Sequence, residues 1–180
     1  MPRVISINCA KPAASAASGP SPRRPECSAA PWAMPSPQQW RNANASTKMA
    51  GDHLALDSSV VVRHLRGHSP GISRTLAEAD ELYLPVTALG ELLFGVERSG
   101  NDPRAREPLE KLLRDAVLIS PDDQTAEHYA KLRAHLTAKG TPIPENDIWI
   151  AATARRHQLK LYHDDAHFEL LEGLIDGLRA

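Results

Sequence analysis

The chain has 180 residues, room for one ordinary domain, and its 21 basic and 22 acidic side chains give a formal charge of −1. That total conceals two unlike parts: residues 1–50 hold eight of the fifteen prolines, both cysteines and six basic residues against one acid, about +5, while residues 51–180 hold fifteen basic and twenty-one acidic side chains, about −6. An acidic domain is a poor nonspecific nucleic-acid binder, cysteines confined to Cys9 and Cys27 exclude a disulfide framework or a cysteine zinc site in the rest of the chain, and no window approaches the roughly 18 apolar residues of a membrane span.

Residues 1–50 are rich in Ala, Ser and Pro, with no apolar period, and are expected to be a disordered extension. "VISINCA" is shorter than the apolar core of about 7–15 residues that a secretory signal needs. A mis-called start is the other reading, with the true start near Met49. A domain without cysteine fits a reducing, cytoplasmic location.

From residue 51 onward the elements follow in order. The spacing predicts a short buried strand over His53–Leu56 and a helix over Ser59–Arg66, with Asp57 or Ser58 able to cap it. A helix over Ile72–Ala79 and a strand over Glu81–Pro85 come next, then a helix over Thr87–Ser99 and a turn at residues 100–103. A helix over Arg104–Arg114 leads to a strand over Ala116–Ile119. A long helix spans Asp122–Lys139, with Leu132 and Leu136 on one face and Gly140 as its stop. Asn146–His157 is helical and Lys160–Tyr162 a fourth strand, while "LLEGLIDGLRA" fits no single element. Short apolar strands alternating with helices predict an α/β fold, a central, mainly parallel sheet flanked by helices.

In such a sheet the ligand site lies outside the carboxyl ends of the strands. Asp57 follows the first strand, Asp165 the fourth, and Asp147 opens the helix "NDIWIAATA", so all three fall on one edge. Glu91 lies five residues into the helix after the second strand, roughly 7–8 Å along at 1.5 Å per residue, where a longer side chain reaches back. Each acid alone has a bland explanation: a helix cap, an acid favoured by the helix dipole, a solvated helix residue, a turn. Together on one edge they repel and raise each other's pKa unless a cation neutralises them. Oxygen donors without cysteine suit Mg2+ or Mn2+.

Four blocks, "LALDSSVVVRHLRG", "PVTALGELLFGVERSG", "IPENDIWIAATARRHQLKL" and "HDDAHFELLEGL", resemble the PIN-domain ribonucleases, and among them the VapC-type toxins of bacterial toxin–antitoxin pairs. The resemblance covers about residues 53–175. It implies a PIN-like fold and a metal-dependent endoribonuclease that leaves 3′-hydroxyl and 5′-phosphate ends. It implies that Asp57, Glu91, Asp147 and Asp165 are catalytic, with Asp57, Asp147 and Asp165 as metal ligands. The hydroxyl after the first acid falls on Ser58 or Ser59, expected to position substrate or water. The last block departs from the family at His163, where Thr is usual. Asp164 stands beside Asp165, and the spacing to Phe168 favours Asp165.

Basic groups near the acid edge are needed to hold RNA, such as a transfer RNA. Arg63, Arg66, Arg98 and the pair Arg155-Arg156 are the candidates. A cognate antitoxin and a homodimer are the partners the resemblance implies. His157, His163 and His167 offer a weak zinc alternative. A strand-end aspartyl phosphatase would want a second acid two residues after Asp57, where Ser59 stands. The competing class is a non-catalytic module of the same fold that binds RNA or protein.

Overall fold

The computed structural model describes residues 52–67 and 69–180. The expected disordered extension over residues 1–50 lies outside the described residues. Among the described residues five strands form one sheet, β1 (His53–Leu56), β2 (Glu81–Pro85), β3 (Ala116–Ile119), β4 (Lys160–His163) and β5 (Gly177–Arg179), in the spatial order β3-β2-β1-β4-β5. All four neighbouring pairs are parallel. The helices are α1 (Ser58–Leu65), α2 (Pro70–Glu78), α3 (Val86–Arg98), α4 (Pro103–Asp115), α5 (Asp123–Lys139) and α6 (Glu145–Arg156), with a 3₁₀ segment over Ala166–Leu171.

The central place of β1 follows from its composition. Leu54, Ala55 and Leu56 form an unbroken apolar run, and each is 1 % exposed or less. A parallel strand covered on both faces needs such a run, not an alternating one. Fully burying a leucine side chain contributes about 1.5–3 kcal/mol, so β1 is a strong anchor. Its register with β4, Leu56 opposite Tyr162, lets the Asp57 amide donate to the Tyr162 carbonyl at 3.0 Å. The chain segments that leave β1 and β4 are therefore neighbours.

Helix ends follow local chemistry. Asp122 caps α5, accepting from the Thr125 amide at 2.7 Å, while the Thr125 hydroxyl accepts from the Asp122 amide at 3.2 Å. This reciprocal pair satisfies two amides that the helix leaves open. Gly140 ends α5 with φ of 67°, a left-handed conformation that costs glycine nothing. Helices α5 and α6 pack together, and Tyr129 stacks on Trp149 with ring centres 4.2 Å apart. The ambiguous C-terminus resolves into the 3₁₀ segment and β5. Among the described residues, no helix is long and apolar enough to cross a membrane.

Candidate active site

Asp57 is the N-cap of α1, and its cap bonds hold its side chain in place. One carboxylate oxygen, Oδ2, accepts from the Ser59 amide at 3.1 Å and from the Ser59 hydroxyl. Only 3 % of the residue is exposed. Burial pushes its pKa up, the Ser59 and Ser58 bonds oppose the rise, and the charge of Glu91 adds to it. A buried carboxylate in this position is ready for a positive partner.

Glu91 extends from α3 to the starts of two other helices. Oε2 accepts from Ser58 Oγ at 2.6 Å, and Oε1 accepts from Asn146 Nδ2 at 2.8 Å. The expected reach back to the sheet edge is thus made, and two flanking residues fix the carboxylate at both oxygens. Ser58 adjoins Asp57, and Asn146 adjoins Asp147, so Glu91 ties those acids into one group.

Asp147 lies in the first turn of α6 and is 8 % exposed. Burial raises its pKa to about 6; His167 works against the rise, and the charges of Asp57 and Asp165 add to it. His167 Nδ1 lies 2.9 Å from Asp147 Oδ2 and 3.1 Å from Asp165 Oδ1. Asp165 begins the 3₁₀ segment as its N-cap, and Oδ1 accepts from the His167 amide at 2.9 Å. Asp147, Asp165 and His167 bring one ligand atom each within 4.8 Å of one another, a group able to hold a cation.

Asp164 turns the other way. Its carboxylate pairs with the Arg63 guanidinium, and its amide donates to Ser59 Oγ at 3.3 Å. The structure therefore gathers Asp57, Glu91, Asp147 and Asp165 at one edge, and leaves Asp164 in an ion pair.

The other candidate residues take these places in the structure. Ser58 and Ser59, the candidates for positioning substrate or water, donate their hydroxyls to Glu91 and Asp57. Arg155 was a candidate for RNA contact, but it is 7 % exposed, inside a buried run from Ile150. Burial lowers its pKa. The histidine trio does not meet. His157 is the C-cap of α6, at the far end from Asp147, roughly 15 Å away at 1.5 Å per residue. His163 is 4 % exposed, with Nδ1 3.0 Å from the Asp165 carbonyl and its ring against Phe168.

Of the other basic candidates, Arg66 is exposed at the C-cap of α1, Arg98 lies over the Phe94 ring, and Arg156 pairs with Asp122 at 3.2 Å. Asn146 is not among the sequence candidates, and His167 is one only within the weak zinc alternative. Asn146 precedes Asp147 in "PEND", and His167 stands two positions after Asp165. Adjacency to a candidate ligand was the available signal.

The carboxylate oxygens gathered here from four elements, two of them buried with raised pKa, are donors that fit a hard divalent cation.

The fold and its sequence are shared with known proteins. The family model described as PIN domain matches residues 54–174. Ribonuclease VapC5 of Mycobacterium tuberculosis is 32 % identical over 134 residues, 72 % of this chain and 93 % of that protein. Ribonuclease VapC2 of Haemophilus influenzae is 30 % identical over 107 residues, 59 % of this chain and 81 % of that protein. The crystal structure of DNA-bound VapBC from Salmonella typhimurium superposes with a TM-score of 0.64 at 25 % identity, covering 71 % of this chain and 97 % of that one. With the acid edge and all-parallel sheet on which it stands, these likenesses show that the chain belongs to the PIN domain family, among its VapC-type members.

Proposed function

We propose that the protein is a metal-dependent endoribonuclease toxin held in check by a cognate antitoxin. The observation that carries this reading is the convergence of Asp57, Glu91, Asp147 and Asp165, from four elements, with Asp57 and Asp147 buried and their pKa values raised. The relatives' names, ribonucleases VapC5 and VapC2, and the VapBC complex support it.

Asp57, Asp147 and Asp165 would hold Mg2+ or Mn2+. Such an ion supplies Lewis-acid stabilisation of the charge that develops on the phosphate and eases ionisation of the attacking water. Glu91, fixed at both oxygens, orients that water. Water adds to phosphorus, the P–O3′ bond breaks, and the departing oxygen takes up a proton. The products are 3′-hydroxyl and 5′-phosphate ends. Ser59 keeps Asp57 ionised by donating to it, and Asp164 holds the Arg63 guanidinium beside the acids, where a phosphate of RNA would meet it.

The antitoxin would lay apolar and basic side chains over the acid edge, neutralising it and excluding RNA. A homodimer belongs to the same reading. Its support is the solvent-facing apolar surface of α3, where Phe94 is 64 % and Leu93 43 % exposed.

The test is cleavage of RNA by purified protein with Mg2+ or Mn2+, with and without chelator, for wild type and five variants. Asp57→Asn, Glu91→Gln, Asp147→Asn and Asp165→Asn should each lose activity. Asp164→Asn should keep most of it. If the four variants cut as well as wild type, the nuclease reading fails. RNA that is bound but never cut by wild type would establish the non-catalytic module instead.

A further inference from the structure

We infer that His167 gives its Nδ1 nitrogen to the divalent cation beside Asp147 and Asp165, and that this ligand makes the site prefer Mn2+ over Mg2+. The inference rests on the metal-dependent reading above and adds the identity of the ion.

The geometry is the first support. Nδ1 lies 2.9 Å from Asp147 Oδ2 and 3.1 Å from Asp165 Oδ1. Adjacent ligand atoms of an octahedral ion with bonds of about 2.1 Å stand about 3 Å apart. Each carboxylate oxygen is thus spaced from Nδ1 as a neighbouring ligand of one small cation, and the three groups each bring a ligand atom within 4.8 Å of the others.

The local chain is the second support. His167 is tied to Asp165 through its own amide, which donates to Oδ1 at 2.9 Å, so the carboxylate is held against the residue that carries the ring. The edge is also open where an ion would enter. The side chains of His167 and Asp165 are 42 % and 40 % exposed, against 12 % for Asp147. In the tautomer that carries its proton on Nε2, the ring presents a lone pair at Nδ1.

Selectivity then follows from ligand type. Carboxylate oxygens alone serve Mg2+ and Mn2+ alike. Imidazole nitrogen is a poor ligand for Mg2+ and a good one for first-row transition ions. One nitrogen among oxygens moves the balance toward Mn2+.

The rival account is that His167 only donates a hydrogen bond shared by the two acids. The full-length protein separates the two. Mn2+ bound to wild type is examined by pulsed electron paramagnetic resonance for coupling to ¹⁴N. Calorimetry gives the Mn2+ and Mg2+ affinities of wild type, His167→Asn and Asp147→Asn. Wild type should show the ¹⁴N coupling of a directly bound imidazole. His167→Asn, which offers an amide in its place, should lose that coupling and about tenfold or more in Mn2+ affinity. Its Mg2+ affinity should change much less. Asp147→Asn should weaken both ions. Mn2+ bound to wild type without ¹⁴N coupling, or equal weakening of both ions in His167→Asn, overturns the inference and leaves the nuclease reading intact. If wild type binds neither ion, the metal-dependent reading falls, and this inference with it.

Discussion

Ser58 Oγ donates to Glu91 Oε2 at 2.6 Å across 33 positions of sequence, joining the first turn of α1 to the second turn of α3. The bond links the hydroxyl next to Asp57 to the one site acid that does not come from a strand end or a helix start. Glu91 has a longer, freer side chain than an aspartate, and the bond removes part of that freedom. Ser58→Ala should therefore lower RNA cleavage by roughly tenfold, as loss of a supporting residue around a metal site commonly does. Stability should change by only about 1 kcal/mol, because the site is half-exposed and water can replace the donor. Cleavage rate and a denaturation curve on the same sample check both halves. An unchanged rate would show that Glu91 needs no such support.

Ser59→Ala should cost more stability. The hydroxyl serves a carboxylate that is 3 % exposed, and its loss leaves Asp57 with backbone amides alone. A hydrogen bond to a buried charged group contributes about 1.5–3 kcal/mol. Denaturant unfolding of the two serine variants, side by side, should place Ser59→Ala below Ser58→Ala. The reverse order would mean that Asp57 is not held as a charged cap.

Asp147 makes stability depend on pH in a definite direction. Its pKa is 3.8 ordinarily and about 6 in the fold, so folding takes up a proton between those values. Stability from this group is greatest below about 4, falls as pH rises toward 6, and levels off above. Burial pulls His128 down to about 4, and that works in the opposite sense over much of the same range. The readable quantity is therefore the difference between wild type and Asp147→Asn, measured with chelator present. The variant should gain on wild type from pH 4 to 6, by roughly 3 kcal/mol at most, and hold that gain at pH 7. Added Mn2+ at pH 7 should then stabilise wild type and not the variant. Parallel profiles would mean that Asp147 titrates normally.

Strands were the most legible part of the fold. His53–Leu56, Glu81–Pro85 and Ala116–Ile119 match their expected limits, because each is an apolar run cut off by a polar or turn-forming residue. Helix limits moved by a residue or two, since a cap such as Asp57 belongs to neither neighbour until its side chain is placed. Strand β5 was hidden. It has three residues, begins at Gly177, and is recognisable only through its pairing with β4, Leu161 opposite Gly177. Asp57, Asp147 and Asp165 were legible because topology carries strand ends and helix starts to one edge, and Glu91 because a longer side chain one turn into its helix reaches back to it. The burial of Arg155 was not, because helical period cannot show that α6 is covered nearly all round. The placing of His167 between two acids depends on a rotamer, which no spacing reveals.

The edge strand β5 has its own constraint, and it lies behind the site. A methyl group at Gly177 would stand 3.2 Å from His163 Nε2. That is too close for comfort but within reach of a small shift, so the outcome depends on whether the imidazole can give way. It is 4 % exposed, its ring lies against Phe168 with centres 5.0 Å apart, and Nδ1 is 3.0 Å from the Asp165 carbonyl. A ring held on three sides yields little, and overfilling a packed site costs about 1–3 kcal/mol. Gly177→Ala should therefore destabilise the protein by about that amount. The smaller side chain of His163→Thr removes the obstacle. In that background Gly177→Ala should cost well under 1 kcal/mol, even if His163→Thr is itself destabilising, and the double-mutant cycle isolates the difference. Any shift of the His163 ring also disturbs its contact with the Asp165 carbonyl, so Gly177→Ala should weaken cation binding while leaving Asp165 in the chain. If Gly177→Ala costs the same with Thr at 163 as with His, the contact between the two residues is not the cause, and backbone freedom in the strand is.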